Sequence, residues 1–125
     1  MRTEKMITGE LGERIAERFL LKQNYKTLSR NYRVGYGELD LIMAFGGVTH
    51  FVEVKTVTRE TLGNADSSYR PEENMHPQKI KVLLRTIERY LMEHGDESDW
   101  QLDLVAVELH VKQKKAVVRH IECVN

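Results

Sequence analysis

Two strand-forming runs meet at Gly46-Gly47, and this pair constrains the chain more than any other feature. Glu38 to Phe45 and Val48 to Val57 are rich in β-branched and aliphatic residues, and such runs joined by two glycines read as a β-hairpin. With Gly46-Gly47 as a two-residue turn, Phe45 pairs with Val48 and the count proceeds outward. Leu41 then meets Val52, Asp40 meets Glu53, Leu39 meets Val54 and Glu38 meets Lys55. Side chains alternate along a strand. The hairpin therefore predicts an apolar face of Leu39, Leu41, Met43, Val52 and Val54, and a charged face carrying Glu38, Asp40, Glu53 and Lys55. A slip by one residue would drive acids into the apolar face, which supports the register.

Around the hairpin the periodicities fall into place. Leu11, Ile15, Phe19 and Leu20 recur at helical spacing, predicting a helix over Gly9 to Asn24 with Thr8 as N-cap. Tyr25 to Arg33 reads as a strand wet on one side. Thr58 to Met75 holds Gly63, Asn64, Asp66, Pro71 and Asn74 with no apolar period and reads as a long loop. Pro77 opens a second helix whose stripe of Ile80, Leu84, Ile87 and Leu91 ends before Gly95. Trp100 to Leu109 and Ala116 to Val124 read as strands about a turn at Lys112 to Lys115. The order αβββαββ predicts an α/β sandwich, helices over a mixed sheet, in one domain spanning 1–125.

Composition narrows the functions available. Nineteen basic residues balance nineteen acidic ones, so histone-like, charge-driven nucleic-acid binding is excluded and any such function rests on a local site. The single Cys123 cannot make an intramolecular disulfide, no apolar run reaches the roughly 20 residues of a membrane span, and the N-terminal segment is polar. These features predict a cytoplasmic protein with no membrane association. His50, His76, His94, His110 and His120 lack the sequence spacing of zinc ligands, so no zinc site is expected from them.

The chemistry concentrates on the hairpin. Two carboxylates about 5 Å apart repel by roughly 3 kcal/mol at an effective dielectric of 20. Lys55, two residues from Glu53, can offset one charge, and a divalent cation can offset the rest. Oxygen ligands suit Mg²⁺, which keeps waters and open positions for a substrate phosphate. Metal and lysine together point to phosphodiester hydrolysis. An exposed cross-strand lattice of ion pairs is the alternative reading of the same four residues.

Asp40, twelve intervening residues and then Glu53-Val54-Lys55 resemble the Asp…(D/E)xK signature of the restriction-endonuclease-like, or PD-(D/E)xK, nuclease superfamily. Gly12-Glu13-Arg14-Ile15-Ala16, Asn31-Tyr32-Arg33, Gly37 to Ile42 and Phe51 to Thr56 more closely resemble the YraN-like family of small bacterial proteins, over nearly the whole chain. There is also similarity to archaeal Holliday junction resolvases. The resemblance implies an αβββαβ sandwich and a Mg²⁺- or Mn²⁺-dependent nuclease acting on DNA more readily than RNA, with branched DNA favoured through the resolvases. It makes Asp40 and Glu53 metal ligands, Lys55 the catalytic lysine and Glu13 a third, helix-borne acid. Glu38 fits a salt bridge to Lys55. Asn31 and Arg33 are placed to contact phosphate, and Lys79 matches a lysine position of the family. One site per domain implies a homodimer for cutting two strands. Gln101 stands where the family tends to carry an arginine, leaving Asp103 without its expected charge partner, and Glu60, Asp66, Glu72 and Glu73 make the segment after the lysine acidic. A non-catalytic binding or assembly module retaining the fold is the alternative these departures suggest.

Overall fold

The computed structural model describes residues 2–59 and 75–125. Its elements run α1 (Glu4–Leu21), β1 (Lys26–Val34), β2 (Gly37–Phe45), β3 (Val48–Arg59), α2 (Pro77–His94), β4 (Asp99–His110) and β5 (Lys115–Ile121). This is the αβββαβ sandwich expected from the motifs, with β5 added at the sheet edge. The helix expected from Thr8 begins earlier. Thr3 is the cap, its hydroxyl accepting from the Met6 N–H at 3.1 Å, and Glu4 occupies the first turn, where a carboxylate favours the helix dipole. Of the loop expected over 58–75, Thr58 and Arg59 extend β3. Residues 60–74, with Glu60, Asp66, Glu72 and Glu73, lie outside the described residues.

The five strands lie in sequence order, antiparallel except for β3 and β4, which run parallel through the α2 crossover. The Gly-Gly turn is real: Gly46 and Gly47 have φ of 59° and 78°, the doubly positive geometry of a tight type I′ hairpin. From Phe45↔Val48 to Leu41↔Val52 the register is the one read from the sequence.

The expected contrast between an apolar and a charged face does not hold, because both faces of the central strands are covered. Leu39, Ile42, Phe51, Leu102 and Leu104 meet Leu83, Ile87 and Tyr90 of α2. Leu41, Met43, Val52, Val105 and Val107 meet Ala16 and Leu20 of α1. A parallel pair with its crossover helix buries strands on two sides, and each such Leu, Ile or Phe contributes about 1.5–3 kcal/mol. Gly12 lets α1 approach β3, since a Cβ there would stand 1.8 Å from Thr56 Oγ1.

Leu39 and Leu41, which a regular strand would point the same way, enter opposite cores. The irregularity lies between them, at Asp40. On β1 the pairs Arg30↔Leu41 and Tyr32↔Leu39 flank Asn31, whose φ is +51°. Arg30 bonds Glu17 of α1 while Tyr32 packs edge-on to Tyr90 of α2. Both strands therefore reverse their facing at one level of the sheet. The expected Leu39–Val54 apolar pair is absent for this reason.

Candidate metal and phosphodiester site

The ladder between β2 and β3 stops at Leu41↔Val52. Beyond it, Asp40 does not face Glu53 as a regular cross-strand partner. Its Oδ2 instead accepts the Val54 backbone N–H at 2.8 Å, so the side chain takes over a main-chain acceptor's place where the strands part.

At this fork three acids converge. Asp40 is only 8% exposed. Burial raises its carboxyl to about 8, a hydrogen bond with Glu53 and Glu53's charge add to the rise, and the Val54 N–H and Lys79 oppose it. Glu13, on the α1 side, is raised to about 7 by burial first and then by Asp40, Glu38 and Glu10, with Arg33 opposing. Glu53 reaches the α2 side, where its Oε2 lies 3.5 Å from Lys79 Nζ. The acids thus come from a helix and two strands and meet between both helical layers. Asp40 is set against Glu53 on one side and Glu13 on the other, like charges that favour the protonated carboxyl.

Two expected pairings are corrected. Lys79, not Lys55, is the ion-pair partner of Glu53, because Glu53 turns to α2 while Lys55 lines a groove beside α1. Glu38 pairs with Arg33 Nε at 2.8 Å rather than with Lys55, since Arg33 is its direct partner on β1. Lys55 lines a groove of about 650 Å³ with Glu13, Thr8, Gly9 and Thr56, and no salt bridge ties it to another described residue. Asn31 and Arg33 line a second groove of about 310 Å³ together with Arg14 and Arg30. Glu13 borders both grooves.

The sequence reading missed the environment of Asp103. This side chain is fully buried. It has no arginine, yet His50 Nδ1 and His120 Nε2 lie 2.7 and 2.8 Å from its Oδ2. Gln101 Nε2 and the Cys123 N–H donate to Oδ1 at 2.8 and 3.0 Å. Burial pushes the carboxyl up, but these four contacts outweigh it and hold Asp103 down at about 2. Seventy positions separate the two histidines in sequence, so no spacing rule could have joined them. The pairing of β3 with β4 and of β4 with β5 brings them together.

Fold and site define the class: an α/β sandwich with a mixed five-stranded sheet and a cluster of acids where two of its strands diverge. The profile of the uncharacterised protein family UPF0102 matches residues 12–107, and the chain belongs to that family. A UPF0102 protein of Campylobacter jejuni strain RM1221 is 34% identical over 113 residues, covering 90% of this chain and 94% of the relative. One from Methylobacillus flagellatus is 39% identical over 87 residues, covering 70% and 72%. Among solved structures, Pyrococcus furiosus SfsA in complex with Ca²⁺ aligns over 96% of this chain and 64% of that one, at 13% identity and a TM-score of 0.37. No described helix is long and apolar enough to cross a membrane.

Proposed function

We propose that the chain is a divalent-metal-dependent nuclease that hydrolyses DNA phosphodiester bonds, with Asp40, Glu53 and Glu13 as its metal-binding acids. The observation that carries this reading is the buried Asp40 carboxyl, raised to about 8 by burial and by Glu53 and backed by a single main-chain donor. An all-oxygen donor set with surplus negative charge fits Mg²⁺ or Mn²⁺. When bound, such an ion supplies a Lewis acid for the phosphoryl oxygen and lowers the pKa of its water.

The rest falls to the chain's own side chains. Asp40 is fixed by the Val54 N–H on one oxygen and hydrogen-bonds with Glu53. Glu53 is steered by Lys79. Lys55, on the wall of the larger groove, is placed to offset charge developing on a scissile phosphate and to orient the attacking water. Glu13 links the two grooves, and Arg14, Arg30, Asn31 and Arg33 offer donors to a backbone entering the smaller one. Because zero net charge gives little long-range attraction, selectivity rests on these local contacts; the preference for branched DNA rests on the resemblance to the resolvases alone. A homodimer provides the second site for cutting both strands, and a cytoplasmic setting fits such a substrate.

The test is cleavage of linear, flapped and four-way DNA with Mg²⁺ or Mn²⁺, beside calorimetric titration with Mn²⁺. Activity and Mn²⁺ binding are expected to be lost together in Asp40→Ala and in Glu53→Ala. Cleavage that survives both substitutions overturns the site. Absence of cleavage and of Mn²⁺ binding in the unaltered protein favours a non-catalytic module.

A further inference from the structure

The Asp103 cluster shares no residue with the acidic fork and has a different donor chemistry. His50, Asp103 and His120 sit on three adjacent strands. Val52, two positions past His50, pairs with Asp103, and Val105, two past Asp103, pairs with His120. Glu122 follows β5. One ligand atom from each of these four residues lies within 4.8 Å of all the others. Tyr25 closes the cluster edge-on, its ring 5.0 Å from that of His50 and 6.0 Å from that of His120.

Two imidazole nitrogens and two carboxylates form the mixed set that borderline divalent ions favour. Tetrahedral ligands at about 2.0–2.1 Å from zinc stand roughly 3.4 Å apart. The contacts of His50 and His120 with Asp103 at 2.7 and 2.8 Å need only open by about half an ångström, and Glu122 need only draw in. The surroundings point the same way. Gln101 Nε2 spans both carboxylates, 2.8 Å from Asp103 Oδ1 and 3.1 Å from Glu122 Oε1, which is how outer donors orient metal-bound carboxylates. An aspartate serving only to anchor the sheet requires neither a second carboxylate beside it nor a donor shared between the two.

The geometry points to a His50–Asp103–His120–Glu122 site for one zinc-class ion, a structural clasp joining β3, β4 and β5 to the C-terminal segment. In the bound state His50 Nδ1 and His120 Nε2 coordinate through lone pairs; a neutral ring that now donates from that nitrogen takes its proton on the other ring nitrogen instead, and a charged ring releases one to solvent.

Chelator-stripped full-length protein is to be titrated with Zn²⁺ by calorimetry and with Co²⁺ by visible absorption, the melting temperature being followed in parallel. One ion per chain, a four-coordinate Co²⁺ spectrum and a metal-dependent rise in melting temperature are expected. Glu122 is exposed, so Glu122→Gln keeps the fold, and together with His120→Gln it is expected to lose the Co²⁺ spectrum. Gln101→Leu is expected to weaken binding about tenfold to a hundredfold. Asp40→Asn with Glu53→Gln is expected to leave Zn²⁺ stoichiometry and spectrum unchanged, which separates this site from the nuclease reading. No Zn²⁺ uptake by the unaltered chain overturns the inference. So does uptake that is indifferent to both Glu122→Gln and His120→Gln.

Discussion

Asp40 and Asp103 are both buried aspartates on central strands of one sheet, yet one carboxyl is raised to about 8 and the other is held at about 2. Burial pushes both carboxyls up and so does not by itself set them apart. Their neighbours do. Asp103 is ringed by nitrogen: two imidazoles, an amide and a main-chain N–H. Asp40 has one N–H and otherwise faces the oxygens of Glu53 and Glu13. Nitrogen donors compensate a buried carboxylate without help, whereas oxygen acceptors leave it frustrated until a proton or a cation arrives. On the two proposals above, the same difference sets the metal each site would take, a hard ion for the fork and a borderline one for the nitrogen-rich cluster.

The comparison breaks most visibly at Asp103. Replacing it with Ala strands the buried His50 and the half-buried His120 and removes the acceptor of the Cys123 N–H. Asp103→Ala is expected to lose about 3–5 kcal/mol, read as a lower urea midpoint at unchanged slope. Asp40→Asn should behave oppositely. The amide oxygen keeps the Val54 N–H, and the repulsion with Glu53 disappears. In metal-free protein the raised carboxyl contributes its stability below its unfolded value near 4, and that stability is lost as pH rises through about 8. The melting temperature of the unaltered chain is therefore expected to fall by roughly 5–10 °C between pH 5 and pH 8. Asp40→Asn should flatten that slope, and Mg²⁺ should reverse it. A slope that Asp40→Asn leaves intact would sink the contrast.

Smaller effects sharpen the picture. Lys79→Met removes the only described cation paired with Glu53. It is expected to steepen the same pH slope while costing about 1 kcal/mol or less, because Lys79 is well exposed. Arg33→Ala breaks an exposed pair with Glu38 and should change stability by less than about 1 kcal/mol. Its effect should instead appear in DNA affinity at low salt, measured by fluorescence anisotropy.

Much of this molecule was legible because local rules and tertiary demands agreed. Gly46-Gly47 permits only a tight turn, which fixed the Phe45–Val48 to Leu41–Val52 ladder, and the stripe from Ile80 to Leu91 could bury itself only as a helix against a sheet. The motifs also named the three acids that meet at the fork. What the pattern could not supply was the place where the pleat fails. A rule of strict alternation carried Leu39, Asp40 and Val54 one step too far, and with them the pairing of Glu38 with Lys55. The role of Lys79 was hidden because its partner lies across a helix packing, not along a strand. The histidines were hidden because their meeting depends on which strands run parallel, a property of the crossover and not of any local spacing.

The left-handed turn of Asn31 carries one more implication. An asparagine tolerates that backbone far better than a β-branched residue does, so Asn31→Val would press β1 back toward regular alternation and β2 with it. The Asp40 carboxylate, on the strand between Asn31 and Lys55, would then leave its place at the fork. The acidic fork can thus be dismantled from the outermost strand, with every acidic group still present in the chain.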